Sequence, residues 1–210
     1  MHTQLSHEEY LKLSERTMGT NFYLNNQSLI NLLHSAIGTQ TEVGELFEAF
    51  SEVEPEFAKD DIDAVNIVEE VSDVTWYLAI AHRELDINYE DLKLTIVPFD
   101  AEEFHTVLEN LNIASSNFLD IIKKKAFYDK PINLDDVKKH LGIIYSDLHW
   151  LLLNFGEKTL AETRAVNINK LQARFPEKFT TENANNRNLE KERAILEGNV
   201  KSEEMGMGYL

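Results

Sequence analysis

The sequence contains no cysteine, which excludes a disulfide framework and every thiolate metal site. Glycine and proline are scarce, at 8 and 4 of 210 residues, so long helices can run with few interruptions. No apolar run approaches the roughly 20 residues needed to cross a bilayer, so no membrane partner is expected. Positive charge is the other shortage: 20 Lys and Arg against 37 Asp and Glu leave a net charge of −17. A nucleic-acid backbone is therefore not an expected partner either. Gly-rich phosphate loops, nucleophile elbows and H-E-x-x-H segments are all missing. One E-x-x-H unit runs from Glu102 to His105, but a ferritin-like di-iron centre needs two such units plus further glutamates. The opening residues Met1-His-Thr-Gln lack the basic-then-apolar plan of a secretory signal, which predicts a cytoplasmic location.

What remains is helical. Hydrophobic residues make up 43% of the chain, enough for one good core or two small ones, and they recur at helical spacing almost throughout. The expected class is all-α, with one domain over residues 1–198 and a tail, 199–210, with little to bury. The spacing predicts helices over about 27–53, 61–85, 100–127 and 133–155, then a last pair near 160–174 and 183–197. Pro55 should stop the first, and Asp100-Ala-Glu-Glu103 has the N-cap and N3 pattern of a helix start. Residues 86–99, with Pro98, read as a connector.

Two carboxylate pairs stand out: Glu42-Val-Gly-Glu45 and Glu70-Val-Ser-Asp73. Spacing i, i+3 puts both members of a pair on one helix face, a turn apart. Two such helices face to face gather four carboxylates, which cannot all stay ionised in a poorly solvated groove without a cation. Hard oxygen donors favour Mg²⁺, with Mn²⁺ as a substitute. Glu48 and Glu69 are neighbours at plausible spacing.

The flanking residues sharpen this. His34-Ser-Ala-Ile-Gly38-Thr-Gln-Thr41 before the first pair, and Glu69 and Val74-Thr-Trp76-Tyr77 around the second, resemble the MazG-like all-α nucleoside triphosphate pyrophosphohydrolases, the superfamily of the dimeric dUTPases and dCTPases. Its signature is E-x-x-E on one helix and E-x-x-D on the next. The run from Asn167 through Lys170 and Arg174 to Phe179, with Arg187 to Arg193, looks like the tail of a phage and bacterial subgroup. The resemblance spans roughly residues 28–197. It implies hydrolysis of a nucleoside triphosphate to monophosphate and pyrophosphate, with metal on Glu42, Glu45, Glu70 and Asp73, and catalysis by Glu45 and Glu42. It also implies a homodimer, and a lid carrying Asn167, Lys170, Arg174 and Arg187 over the nucleotide.

The chain also repeats itself. Ser72-Asp73-Val-Thr-Trp76-Tyr-Leu78 returns as Ser146-Asp147-Leu-His-Trp150-Leu-Leu152, and Glu45 to Phe50 is echoed by Asn117 to Ile122. Two long helices per repeat predict a tandem pseudo-dimer with a four-helix core, repeat one at about 27–86 and repeat two at about 100–156. The second copy has Ala114, Asn117 and Ile144 where the first has Glu42, Glu45 and Glu70. Only Asp147 survives, with an expected role in a hydrogen bond or helix contact, so repeat two is read as structural. Its Lys123-Lys-Lys-Ala-Phe-Tyr128-Asp-Lys130 segment resembles the basic segment between the acidic helices of single-repeat members, where repeat one has the acidic stretch 51–61. Lys123, Lys124, Tyr128 and Lys130 are thereby expected at phosphate. His34, two turns before Glu42, is a candidate for metal or base. Trp76, Tyr77 and Trp150 recur in apolar helices and are expected in the core. Gly38 and Gly44 cost helix stability and predict close helix approach or ligand access.

Overall fold

The computed structural model describes residues 5–19, 22–51, 62–95 and 104–198. Among these there is no strand, and eight α-helices account for most of the chain. The stretch 52–61, the start signal at Asp100–Glu103 with its neighbour Pro98, and the tail beyond residue 198 lie outside the described residues, as do Pro55 and Glu102.

Four long helices form the core: α2 (Gln27–Ser51), α3 (Ala64–Leu85), α4 (Phe104–Tyr128) and α5 (Leu134–Leu151). α1 (His7–Ser14) precedes them and buries nothing. Each long helix turns one apolar stripe inward, as the 3.6-residue period requires. Leu29, Leu32, Ala36, Val43, Leu46 and Phe50 do so on α2, and Ile67, Val71, Val74, Leu78 and Ala81 on α3. α2 packs against both α3 and α4, α4 packs against α5, and α3 closes the ring against the end of α5. There the chain unwinds into a wider π-helical turn, Leu152–Gly156. Phe50, Phe104 and Phe155 seal that end with ring centroids 4.9–5.7 Å apart.

Local chemistry fixes the helix ends. Asp63 caps α3 by accepting from the backbone of Val65 and Asn66, two residues beyond the expected start. Asn133 caps α5 through the Asp135 amide, where the sequence predicts it. Thr159 and Glu162 form a capping box on α6 (Leu160–Arg174). The connector after α3 runs tight along α5. A Cβ on Gly142 would sit 2.7 Å from the Lys93 carbonyl oxygen, and the Thr95 amide donates to Ser146 Oγ at 2.8 Å. α6 then lies across α3, and α7 (Thr181–Asn185) and α8 (Leu189–Leu196) follow, α8 resting on α6 and α3.

Candidate active site

The α2–α3 pair and the α6–α8 segment enclose a cleft of about 560 Å³. α2 contributes His34, Glu42 and Glu45, and α3 contributes Glu69, Glu70, Asp73, Trp76 and Tyr77. Arg174, Phe175, Phe179 and Arg187 form the facing wall. The sequence places the acidic residues on facing stripes of adjacent helices, and the packing of α2 on α3 brings them together.

Glu42, Glu45 and Glu70 form the tight group, with one oxygen from each lying within 4.8 Å of the others. Their electrostatics register the crowding. Burial, then the charges of Glu45 and Asp73, push the Glu42 carboxyl up to about 7. Burial, then Glu45 and Glu69, push Glu70 up to about 8. Glu45 is raised by the same causes, burial first. Oxygen ligands of one Mg²⁺ ion stand about 4 Å apart at most, given bonds of about 2.1 Å. Small side-chain rotations would therefore suffice for one ion, and the all-oxygen, charge-frustrated donor set fits a hard divalent cation.

Asp73 is engaged differently. Both its oxygens accept from Lys170 Nζ, at 2.7 and 2.9 Å, and Oδ1 accepts from Asn167 Nδ2 at 2.7 Å. Asn167 also donates to Ser72 Oγ at 2.8 Å. The Lys170 side chain is wholly buried, with Glu69 as a further partner at 3.3 Å. A buried ammonium is tolerable only when paired in this way. Asp73 thus has its charge met by protein, while among the described residues Glu42, Glu45 and Glu70 form no ion pair, Lys170 and Arg187 offsetting only part of the repulsion at Glu42 and Glu45.

The two arginines of the facing wall converge on Glu192, which is 4% exposed. Arg174 donates to it through Nε at 2.9 Å and through a second, shorter bond. Arg187 donates at 3.2 and 2.8 Å and reaches Glu69 at 3.3 Å. Burial alone would raise the Glu192 carboxyl, but the bonds from Arg174 and Arg187 outweigh it and hold the group below its ordinary value. The clamp fixes both guanidiniums at the cleft wall. The NH1 group of neither has a hydrogen-bond partner among the described residues.

At the other end of the cleft, His34, Trp76 and Tyr77 meet edge to face, with centroids 4.9–6.1 Å apart. This corrects the expectation that Trp76 belongs to the core: it is 38% exposed, whereas Trp150 is 1% exposed. Trp76 follows Asp73 by three residues, so the same helical face that carries the carboxylates carries the ring, a signal present in the sequence. Tyr77 explains Gly38, since a Cβ there would fall 2.2 Å from the tyrosine ring. Gly44 meets nothing within 4 Å.

The basic segment of the second repeat lies elsewhere. Lys123 and Lys124 both pair with Asp120, the first at 2.7 Å. Tyr128 is 66% exposed, and Lys130 is exposed beyond the end of α4. None of the four lines the cleft. Ala114 and Ile144 are core residues and Asn117 is exposed. Asp147 is half-buried, with Oδ2 lacking a hydrogen-bond partner among the described residues and the carboxyl pushed by burial to about 7. Sequence reasoning missed Glu192 as the anchor of the arginines, although it lies in the C-terminal run that drew attention.

No family model matches this chain. Comparison with curated proteins and with solved structures finds no significant match either.

Proposed function

We propose that the protein is a divalent-metal-dependent hydrolase that splits a nucleoside triphosphate, of the deoxy series by preference, into the monophosphate and pyrophosphate. The observation that carries this reading is the meeting, in one cleft, of the Glu42–Glu45–Glu70 cluster with the clamped Arg174 and Arg187. Acidic oxygens suit a metal, and guanidiniums suit the phosphate oxygens that metal leaves uncovered. The ordered E-x-x-E and E-x-x-D motifs, and their resemblance to MazG-like enzymes, support the same conclusion. On this reading α2–α3 and α4–α5 are tandem units of a pseudo-dimer, the second without a metal set, and the protein works in the cytoplasm, as a homodimer of the whole chain.

Glu42, Glu45 and Glu70 would hold Mg²⁺ or Mn²⁺, with Asp73 joining them once Lys170 moves to phosphate. The metal supplies Lewis acidity at the phosphate and lowers the pKa of water. Glu45 is the most exposed of the three and is assigned as the base that takes the proton of the attacking water. The new bond forms from that oxygen to the α-phosphorus as the bond to the bridging oxygen breaks, and pyrophosphate departs against Arg174, Arg187 and Lys170. Trp76, Tyr77 and His34 offer aromatic edges to the base. Incubation with a nucleotide panel and Mg²⁺, scoring pyrophosphate against orthophosphate, tests the assignment. Glu45→Gln should abolish pyrophosphate release with the helical content unchanged, and near-normal turnover by that variant would sink it.

One observation favours a second reading, a nucleotide-binding module without turnover. Lys170 already occupies Asp73, as it would in a site that no longer needs a fourth metal ligand. Metal-dependent nucleotide binding with no pyrophosphate release would select this reading.

A further inference from the structure

A second cavity, of about 280 Å³, lies across α3 from the cleft and is lined by Arg164, His82, Tyr89 and Tyr145 among others. Its floor is formed by Thr75, Ile87 and Tyr145, all buried. Arg164 projects from α6 with its guanidinium carbon 5.1 Å from the Tyr89 ring centroid and 5.5 Å from that of Tyr145. Among the described residues no carboxylate lies within 4.0 Å of it, in a chain where acids outnumber bases by 37 to 20. A guanidinium held against two nearly perpendicular rings, with one bond to the Tyr145 hydroxyl, keeps the rest of its N–H fork available for a planar or tetrahedral oxyanion.

The imidazole of His82 supplies the second half. Its Nδ1 stands 2.7 Å from the Ile87 carbonyl oxygen. A carbonyl only accepts, so Nδ1 carries the hydrogen and Nε2 of the neutral ring is an acceptor. That Nε2 is buried and has no partner among the described residues. His82 and Arg164 lie against the same Tyr145 ring, the former at 5.7 Å. Tyr89 is fixed in turn by a 2.9 Å hydrogen bond between its hydroxyl and His149 Nε2. Among the described residues Arg164 has no carboxylate partner and bonds to the Tyr145 hydroxyl, and His82 Nε2 is an unpaired buried acceptor; both arrangements are costly unless a ligand answers them.

We propose that this cavity binds a small organic oxyanion, a phosphate or carboxylate, that also carries a hydroxyl. The oxyanion pairs with Arg164 and the hydroxyl donates to His82 Nε2. The volume admits a molecule of only a few carbons, below the usual range for larger cofactors. The site is separate from the acidic cleft and does not depend on the function assigned to it.

Glycerol 3-phosphate and glycerate serve as probes, with matched NaCl as the ionic-strength control. Histidine ring signals in long-range ¹H–¹⁵N spectra report the location, because His82 lines this cavity, His149 is bonded to its Tyr89, and His34 lines the cleft. The expected result is saturable shifts at His82 and His149 with at least one probe. They should persist in Glu45→Gln and weaken tenfold or more in Arg164→Gln, whose remaining histidine signals confirm the fold. Arg164→Lys, which keeps the charge but loses the fork, should retain weaker binding. Shifts confined to His34, shifts that survive Arg164→Gln, or no saturable shift with either probe would overturn the proposal and leave Arg164 a structural stack.

Discussion

Replacing Glu70 by glutamine should stabilise the metal-free protein by an amount that grows from pH 4.5 to its full size near pH 8. Glu70 is 8% exposed, and its folded-state pKa of about 8 lies far above the ordinary 4.5. At about 1.4 kcal/mol per unit, ionising it in the folded chain costs up to ~5 kcal/mol. Proton sharing with Glu42, which titrates near 7, and relaxation of the open groove reduce this to on the order of 2 kcal/mol. The sign follows from proton counting. Between pH 4.5 and about 8 the folded chain holds protons that the unfolded chain has released, so stability falls as pH rises through that window. Below pH 4.5 both states are protonated and the effect vanishes. Glutamine keeps a donor toward Glu42 and removes the charge. Thermal melts in EDTA should therefore show similar Tm values at pH 5 and a variant more stable by about 4–8 °C at pH 8.5, taking about 2–4 °C per kcal/mol for a domain of this size. Comparing variant with wild type at each pH cancels the contributions of His140 and His149, whose pKa values are lowered chiefly by burial. Millimolar Mg²⁺ should raise the wild-type Tm at pH 8.5 and have much less effect on the variant. A Tm difference independent of pH would refute the crowding of these carboxylates.

Three further variants test other parts of the molecule. Lys170→Met leaves Asp73 and Glu69 without their buried cation and should cost about 3 kcal/mol in urea unfolding, the low end for a broken buried pair because both acids are partly exposed; adding Asp73→Asn should recover part of the loss, and additive losses would refute the coupling. Gly38→Ala forces the Tyr77 ring from its place and should destabilise, whereas Gly44→Ala, with open space around it, should stabilise by up to about 1 kcal/mol through helix propensity; denaturation midpoints in the opposite order would contradict the packing. Lys123→Ala combined with Lys130→Ala should leave pyrophosphate release within about threefold of wild type, because both side chains are exposed and Lys123 serves Asp120; a loss of two orders of magnitude in kcat/KM would place them at phosphate in another copy of the chain.

The helices were legible because their signals are local. Periodic apolar residues set α2 to α5, and Asn133 capped its helix where a short polar side chain before an apolar run should. The pairs on α2 and α3 were legible too, since i, i+3 spacing needs no knowledge of tertiary packing. What the sequence hid is long-range. Nothing local in Asp73 reveals that Lys170, 97 residues later, takes both its oxygens, nor that Glu192 rather than phosphate holds Arg174 and Arg187 here. Trp76 and Trp150 share a repeat motif but not an environment, because Trp76 lines the open cleft while Trp150 is buried beside Phe155. A basic run such as Lys123–Lys125 reads the same whether it faces a ligand or, as here, its own helix's Asp120 and a nearby Asp129.

The 97-residue separation between Asp73 and Lys170 also sets an order of events at the ribosome. The acidic half emerges first, and its neutralising partner Lys170 follows 97 residues later. At about 5–20 residues per second, the delay is roughly 5–20 s. During that interval the nascent carboxylates must remain hydrated, protonated or metal-bound, and α2 and α3 can pair without a finished cleft. Synthesis of α6 to α8 is then itself the step that closes the site, so a ribosome stalled before α6 would display a helical bundle with an open acidic groove and no arginine wall.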